Sequence, residues 1–359
     1  MPDKISIIPA QELDQALIKR WVELRDSNPG LANPFFHPEF TRVIAGVRND
    51  VEVAIIEDAS GIVGFLPFQR EGRKAGRPVG HPLSDYHGVI CGPNTEVNLI
   101  SLLRACQLSS WDFDHVPTSQ TFFRPFFRFT EISPTIDLRV GFDRYLAEQK
   151  ARGSRLQKPL QLMRKLEREV GPLRLEPHVP QIDALEFVLT KKSEQFGRTD
   201  QVDLFANPWV RRAVESVFET KTPDFSGTLS VLYAGPERVA ALLAICSRKI
   251  WHAWFMAFED RFASYSPGLL LYLKIVEHGA ALGFECLDFG KGDHAHKKRM
   301  MDGFVSVGTG SLALSSVRLA RTLKREITGV ARGLVLKSPL AEIGRHWVRK
   351  RRSQRWRAG

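Results

Sequence analysis

The chain has 359 residues, room for two domains of ordinary size. A hydrophobic share of 43% with 25% charged residues describes a globular protein and excludes fibrous and low-complexity classes. The net charge of +11 belongs to the tail: residues 316–359 hold thirteen lysines and arginines against two glutamates, so the body is neutral overall and need not bind a polyanion.

The four cysteines, Cys91, Cys106, Cys246 and Cys286, lie scattered in apolar runs without CxxC spacing. That argues against a structural metal or a disulfide framework and for reduced, buried thiols. The first fourteen residues lack a charged n-region and an apolar h-region, so no export signal is expected. No run of eighteen apolar residues is present, so no spanning helix is expected either. A cytoplasmic protein is the expectation.

In chain order, residues 5–8 read as a strand and 13–24 as a helix stopped by Ser27-Asn28-Pro29-Gly30. Phe36-His37-Pro38-Glu39-Phe40 opens a second helix reaching about residue 47. Residues 51–56 and 62–68 form a hairpin around Asp58-Ala59-Ser60-Gly61. A Gly/Pro-rich loop with Pro82-Leu83-Ser84-Asp85-Tyr86-His87-Gly88 follows, then a helix over about 97–108 and a strand over 111–115. Residues 141–170 read as one linking helix. The order then repeats: strand 173–176, helix 182–196, a helix opened by Asn207-Pro208-Trp209, strands 229–233 and 239–246 around Gly235-Pro236-Glu237, and a third strand over 250–258. From Arg332 onward the chain reads as a poorly packed tail.

The repetition is visible as an offset. Pro38 and Pro208 stand 170 positions apart, Gly61 and Gly235 174, and Asp114 and Asp288 174. A period of this length indicates duplicated domains, since solenoid repeats span only ~20–50 residues.

The most informative stretch is 251–299. Ser266-Pro267-Gly268 reads as a helix start, with Ser266 as N-cap and Pro267 at the first helical position. Gly268 keeps a side chain out of the helix mouth, whose N–H groups and positive dipole end suit a phosphate. The run Leu269, Leu270, Leu271, Leu273, Ile275 and Val276 predicts a buried helix ended by Gly283. Residues 284–289 form a strand finishing in Asp288, and Gly290-Lys291-Gly292-Asp293 follows.

This order of strands and helices is similar to the GNAT acyltransferase fold, and its tandem use resembles the Fem-type peptidyl transferases. Within that superfamily the chain resembles the CelD- or BioF2-like family linked to cellulose and exopolysaccharide biosynthesis. Five motifs carry the likeness: Ser84-Asp85-Tyr86, Trp111-Asp112-Phe113, Arg164-Lys165-Leu166-Glu167-Arg168-Glu169, Tyr265-Ser266-Pro267-Gly268-Leu269, and Asp288-Phe289-Gly290-Lys291-Gly292-Asp293. They extend over about 35–298. The resemblance implies an α/β protein with mixed sheets. A degenerate first GNAT-like domain would occupy 1–140, a linker helix 141–170, an acyl-CoA-binding domain 171–315 and a basic tail 316–359. It departs from the family pattern where Ala295-His296 replaces Pro-Tyr before the lysine. The first half also lacks an SPG-type turn, with Cys91-Gly92-Pro93-Asn94 before its helix.

By this resemblance Tyr265, Ser266, Pro267, Gly268, Leu269 and Lys291 hold the acyl-CoA, acetyl-CoA first among donors, with no metal. Transfer to an amine needs two held reactants, removal of a proton and stabilisation of the oxyanion, and no covalent nucleophile. Asp293 and Asp288 are candidates to orient or deprotonate the amine, and His296 to protonate the leaving thiolate. For Asp288 the alternative is a strand-end cap bonded to backbone; for His296 it is an exposed loop histidine. Asp85, Tyr86 and His87, with Trp254 and the basic residues Arg164 and Lys165, are candidates for the acceptor side. His252 and Trp254 share one face of their strand.

The function expected is acyl-CoA-dependent N-acylation of an amino sugar or polysaccharide precursor. Two alternatives stand beside it: a Fem-type aminoacyl-tRNA-dependent transferase, and a non-catalytic accessory module of a polysaccharide synthase. The tail, with Arg349-Lys350-Arg351-Arg352 between Trp347 and Trp356, fits peripheral contact with an anionic membrane. Specific nucleic-acid binding is not expected.

Overall fold

In the computed structural model, which describes residues 4–153, 156–292 and 294–314, strands and helices alternate in two successive runs. The first run holds β1 (Lys4–Pro9), α1 (Gln15–Asp26), α2 (Pro38–Val47), β2 (Val51–Asp58), β3 (Gly61–Glu71), β4 (Ala75–Arg77), β5 (Ile90–Cys91), α3 (Leu99–Ala105), β6 (Ser110–Pro117) and β7 (Phe127–Asp137). Helices α4 (Phe142–Ala151) and α5 (Gln157–Glu169) lead into the second run. It holds β8 (Leu173–Glu176), α6 (Ile182–Arg198), α7 (Pro208–Glu219), β9 (Ser226–Ala234), β10 (Glu237–Cys246), β11 (Ile250–Phe258), α8 (Pro267–Gly279), β12 (Cys286–Asp288), α9 (Ala295–Met300) and β13 (Gly303–Ala313).

The repeat at offset 170 is a repeat of helix starts. Pro38 and Pro208 both occupy the first turn, and each is preceded by a side chain that caps it: His37 Nδ1 accepts the Glu39 N–H (3.2 Å) and Asn207 Oδ1 the Trp209 N–H (3.3 Å). A capping imidazole must be neutral, and burial, aided by the Arg25 charge, holds His37 down at about 3. Helices α2 and α7 pack against each other across the two halves.

Among the described residues thirteen strands form one sheet in the order β1-β2-β3-β4-β6-β13-β7-β12-β11-β10-β9-β8, with β5 paired to β3. The halves are joined by exchange of strands. β13, last in sequence, lies antiparallel between β6 and β7 of the first half, and β7 in turn pairs with β12 of the second. β13 carries glycines because of what it threads between. A Cβ on Gly310 would sit 2.1 Å from the Phe126 carbonyl oxygen. Where the β13–β6 register shifts, between Gly308 and Gly310, β6 bulges at Asp114–His115, and His115 adopts a left-handed backbone (φ 60°).

Residues 141–170 form two helices, since Gly153 with φ 72° follows the end of the first. The division at 140 and 315 follows the chain, while in space β13 belongs with β6 and β7. Helix α8 stops at Gly279, and Gly283 (φ 88°) closes the turns after it, with the Phe284 N–H reaching the Gly279 carbonyl (3.1 Å). Strands β7 and β13 were not anticipated. Helix α8 is buried over most of its surface, as its leucines require, with Lys274, Glu277 and His278 as its polar residues. The tail from 315 onward, including the basic run proposed for membrane contact, lies outside the described residues. No described helix is long and apolar enough to cross a membrane.

Candidate active site

The sequence candidates gather in two places. The first is the mouth of α8. Ser266 precedes it in a left-handed conformation (φ 58°, ψ 53°), exposed, with no hydrogen bond from its side chain to the helix. The side-chain N-cap expected there is therefore absent; the Ser266 carbonyl takes the Leu269 and Leu270 N–H groups instead (2.9 and 3.2 Å). Pro267, Gly268 and Leu269 are buried. A Cβ on Gly268 would meet Met256 Cε at 2.3 Å, so this glycine makes room for a β11 side chain and does not open the mouth to a ligand. The polar surface at this end comes from α5. The Tyr265 hydroxyl donates to Glu169, and Lys165 Nζ lies over the Tyr265 ring, 5.4 Å from its centroid. Arg164 and Lys165 are exposed on that helix. Tyr265 and Lys165 thus meet at one surface, with Ser266 next in the chain to Tyr265 and Arg164 exposed on the same helix as Lys165.

The second place lies between the halves. β11 and β12 run parallel for three residue pairs, ending at His252 and Asp288, and then part. At the parting point a buried polar network ties both halves. Asp288 is 3% exposed and accepts four hydrogen bonds: from Tyr86 (2.8 Å), Asn33 (3.0 Å), Ser133 (3.1 Å) and the Gly290 N–H (2.8 Å). With its oxygens so occupied it does not face an incoming amine; it fastens the loop after β12. His252, fully buried, bridges Asp288 to Asp85, with Nε2 3.0 Å from Asp85 Oδ2 and Nδ1 3.6 Å from Asp288 Oδ1.

The proton inventory of this chain is set by Asn33. Its carbonyl accepts the Phe35 N–H, so its amide group faces His252 Nδ1 (3.1 Å), which accepts in the neutral ring while Nε2–H donates to Asp85. Burial opposes a second proton, yet the two carboxylates outweigh it and raise the His252 pKa. Burial likewise pushes Asp85 and Asp288 up, and His252 with the surrounding donors brings both below the usual carboxylate range, Asp85 to about 2.

Asp85 also accepts the Lys291 N–H (3.2 Å), and a Cβ on Gly290 (φ 68°) would stand 2.3 Å from Asp85 Oδ2. The loop is thereby pressed onto the first half. Lys291 Nζ then reaches Asp114 Oδ2 (2.7 Å), whose other oxygen contacts His87 Nε2 (2.8 Å). Lys291 is engaged in this ion pair across the halves. Burial opposes the Asp114 charge, but His87 and Lys291 hold its pKa far down. Both partners of the Asp114–Lys291 pair keep 27% side-chain exposure, so this is where the network meets solvent. Lys297, buried, donates to the Gly290 carbonyl (3.2 Å) and to that of Lys291 (2.5 Å), closing the loop from below.

Asp85, Tyr86, His87, Asp288, Lys291 and Trp254 are thus brought together. Trp254 donates its indole N–H to the Leu83 carbonyl (2.8 Å) and packs edge-on to Phe35, so it holds the acceptor loop in place. His296 lies exposed on α9, its ring stacked on that of His294. Asp293 lies outside the described residues. Sequence reasoning missed Asn33, Ser133, Asp114 and His115 as members of the site, and it noted His252 only for its shared face. The offset pairing of Asp114 with Asp288 was the available signal: Asp288 ends β12, Asp114 stands at the β6 bulge, and each anchors one cluster.

A family model described as an acetyltransferase (GNAT) domain matches residues 154–298, from α5 to the middle of α9. No curated protein matches the sequence. Among solved structures, FemX superposes with a TM-score of 0.55 at 10% identity, covering 86% of this chain and 96% of that one. The C-terminal domain (DUF2156) of a putative lysylphosphatidylglycerol synthetase from Agrobacterium fabrum gives 0.49 at 12% identity, with 85% and 96% covered. A tandem GNAT protein from the clavulanic acid biosynthesis pathway gives 0.47 at 12%, with 86% and 98% covered. The likeness to FemX is one of fold.

Proposed function

We propose that this protein, a GNAT-type acyltransferase of two joined GNAT-like halves, transfers an acyl group from acyl-CoA, acetyl-CoA first among donors, to an amine held between the halves. The observation that carries this reading is the parting of β11 and β12 after His252 and Asp288, with Met256 further along β11 lying against Gly268 at the start of α8. Beyond His252, β11 continues for six residues without β12 alongside, which leaves backbone amides and carbonyls able to pair with the amides of a pantetheine arm. Exposed Ser266 and the Arg164/Lys165 face offer hydrogen bonds and charge to its phosphates. The thioester supplies an activated carbonyl, so the protein's tasks are positioning and proton removal. Asp288, His252 and Asp85 position the Gly290–Lys291 loop. The proton of the amine is assigned to Asp293 or His296, the bases that follow this loop in sequence. Amino sugars or polysaccharide precursors are the acceptors we assign, and the tail from 316 is assigned to an anionic membrane surface.

Acetyl-CoA at a hundredfold its Kd is expected to stabilise the protein by about 2.7 kcal/mol, read as a rise in Tm. Reversing the charges of Arg164 and Lys165 to glutamate should weaken that binding about tenfold, and less so at high salt. No shift at millimolar acetyl-CoA would remove the donor from the proposal. Retention of charged tRNA without any CoA effect would support the aminoacyl-tRNA alternative, and binding of neither the accessory role.

A further inference from the structure

Among the described residues the turn Gly290–Lys291 makes no hydrogen bond to other backbone; all four of its main-chain polar groups are held by charged side chains. The two N–H groups go to carboxylates, that of Gly290 to Asp288 (2.8 Å) and that of Lys291 to Asp85 (3.2 Å). Both carbonyls go to one ammonium, that of Lys297 (3.2 and 2.5 Å). A turn with no ladder or helix to define it is only as firm as the groups that satisfy its backbone. Here those groups are three side chains.

Asp288 and Asp85 are fixed by the network around His252. Lys297 is fixed from another direction. It stands on α9, whose end is tied to α4: the buried Tyr145 hydroxyl and Gln149 amide donate to the Met300 carbonyl (2.7 and 3.2 Å), and Gln149 also reaches the Met301 carbonyl (3.1 Å). The position of the turn therefore depends on both halves and on the linking helix at once.

Lys297 is 8% exposed, and its ammonium bonds two carbonyls and no carboxylate among the described residues. Lysines are seldom so buried without a paired acid. Burial works against its charge, and the charges of Asp85 and Asp288 work for it. With His252 protonated, the two carboxylates face two cations, and the buried group is electrically balanced only when Lys297 is counted. A neutral amide could bond the same two carbonyls. The ammonium adds attraction to the carboxylates that hold the N–H groups, so one residue draws both sides of the turn together.

We infer that Lys297 is a positioning residue for the transfer: it holds the Gly290–Lys291 turn, and with it the Lys291 side chain that crosses to Asp114, against the first half. This rests on the reading that an amine is acylated between the halves. It adds that the acceptor side is set from below by a buried residue acting through the turn. Its loss is felt in the rate and not in donor binding.

The test is amine-dependent CoA release by the full chain from acetyl-CoA, with a panel of amines headed by glucosamine. Lys297→Gln is expected to lower kcat about a hundredfold, as a misplaced reactant does, with the KM for acetyl-CoA and the acetyl-CoA Tm shift unchanged. Lys297→Arg restores the charge and the donors and should recover at least about a tenth of the wild-type kcat. Lys297→Met, of similar length, takes the place of Lys297→Gln should that variant not fold. Wild-type kcat in Lys297→Gln, loss of the acetyl-CoA shift together with the rate, Lys297→Arg no better than Lys297→Gln, or failure of both neutral variants to fold overturns the positioning role and leaves the transfer standing. A wild-type chain that releases no CoA with any amine overturns the transfer itself, and the inference with it.

Discussion

Asp288 shows how a carboxylate that looks catalytic in sequence becomes a fastener in the fold. Four donors and a histidine surround it, and removing it would leave them buried and unmet. Asp288→Ala is expected to destabilise the protein by about 3–5 kcal/mol in denaturant unfolding. His252 gives the network a pH dependence with a definite sign. Its folded pKa is raised, to about 9, so its contribution is complete below the unfolded value near 6.5 and is lost as pH rises towards 9. The buried neutral histidines His37, His81 and His115 act in the opposite sense, since their depressed pKa values cost stability as pH falls below 6.5. Tm should therefore peak near pH 6.5, and His252→Gln should flatten the alkaline side alone. The types of these residues were plain in the sequence, but their roles were not. Whether a carboxylate faces solvent or four donors depends on partners up to 255 positions away, as with Asn33.

At the scale of elements, the start of α8 was legible as a start and misleading as a surface. Pro267 and the leucines after it behave as their chemistry demands. The glycine beside them yields space to Met256, a contact from another strand that no local pattern announces. Gly268→Ala is accordingly expected to cost about 1–3 kcal/mol through overpacking, measured by denaturant midpoint. Ser266→Gly, at a position already left-handed, should stabilise by up to about 1 kcal/mol. Strands β7 and β13 escaped prediction for an equally physical reason. Pro134 interrupts one, and Gly303, Gly308 and Gly310 thin the apolar alternation of the other, yet these residues permit the close threading of β13.

In the molecule as a whole, the exchange of β7 and β13 removes any seam along which the halves could come apart. A chain ending at residue 302 would expose the facing edges of β6 and β7, and it is expected to aggregate instead of folding. The intact protein should unfold in one calorimetric transition despite its two-domain length. The duplication was legible because turns and helix starts repeat in sequence; the exchange was not, because pairing between distant strands leaves no local trace. It also decides where the chain comes out. Ala313 pairs with Ser110, and the Leu314 N–H bonds the Ser109 carbonyl, so the basic tail departs from the half opposite the acetyltransferase match. Anything joined to the chain beyond Leu314 is therefore anchored on the first half, across the strand exchange from the residues that the acetyltransferase model matches.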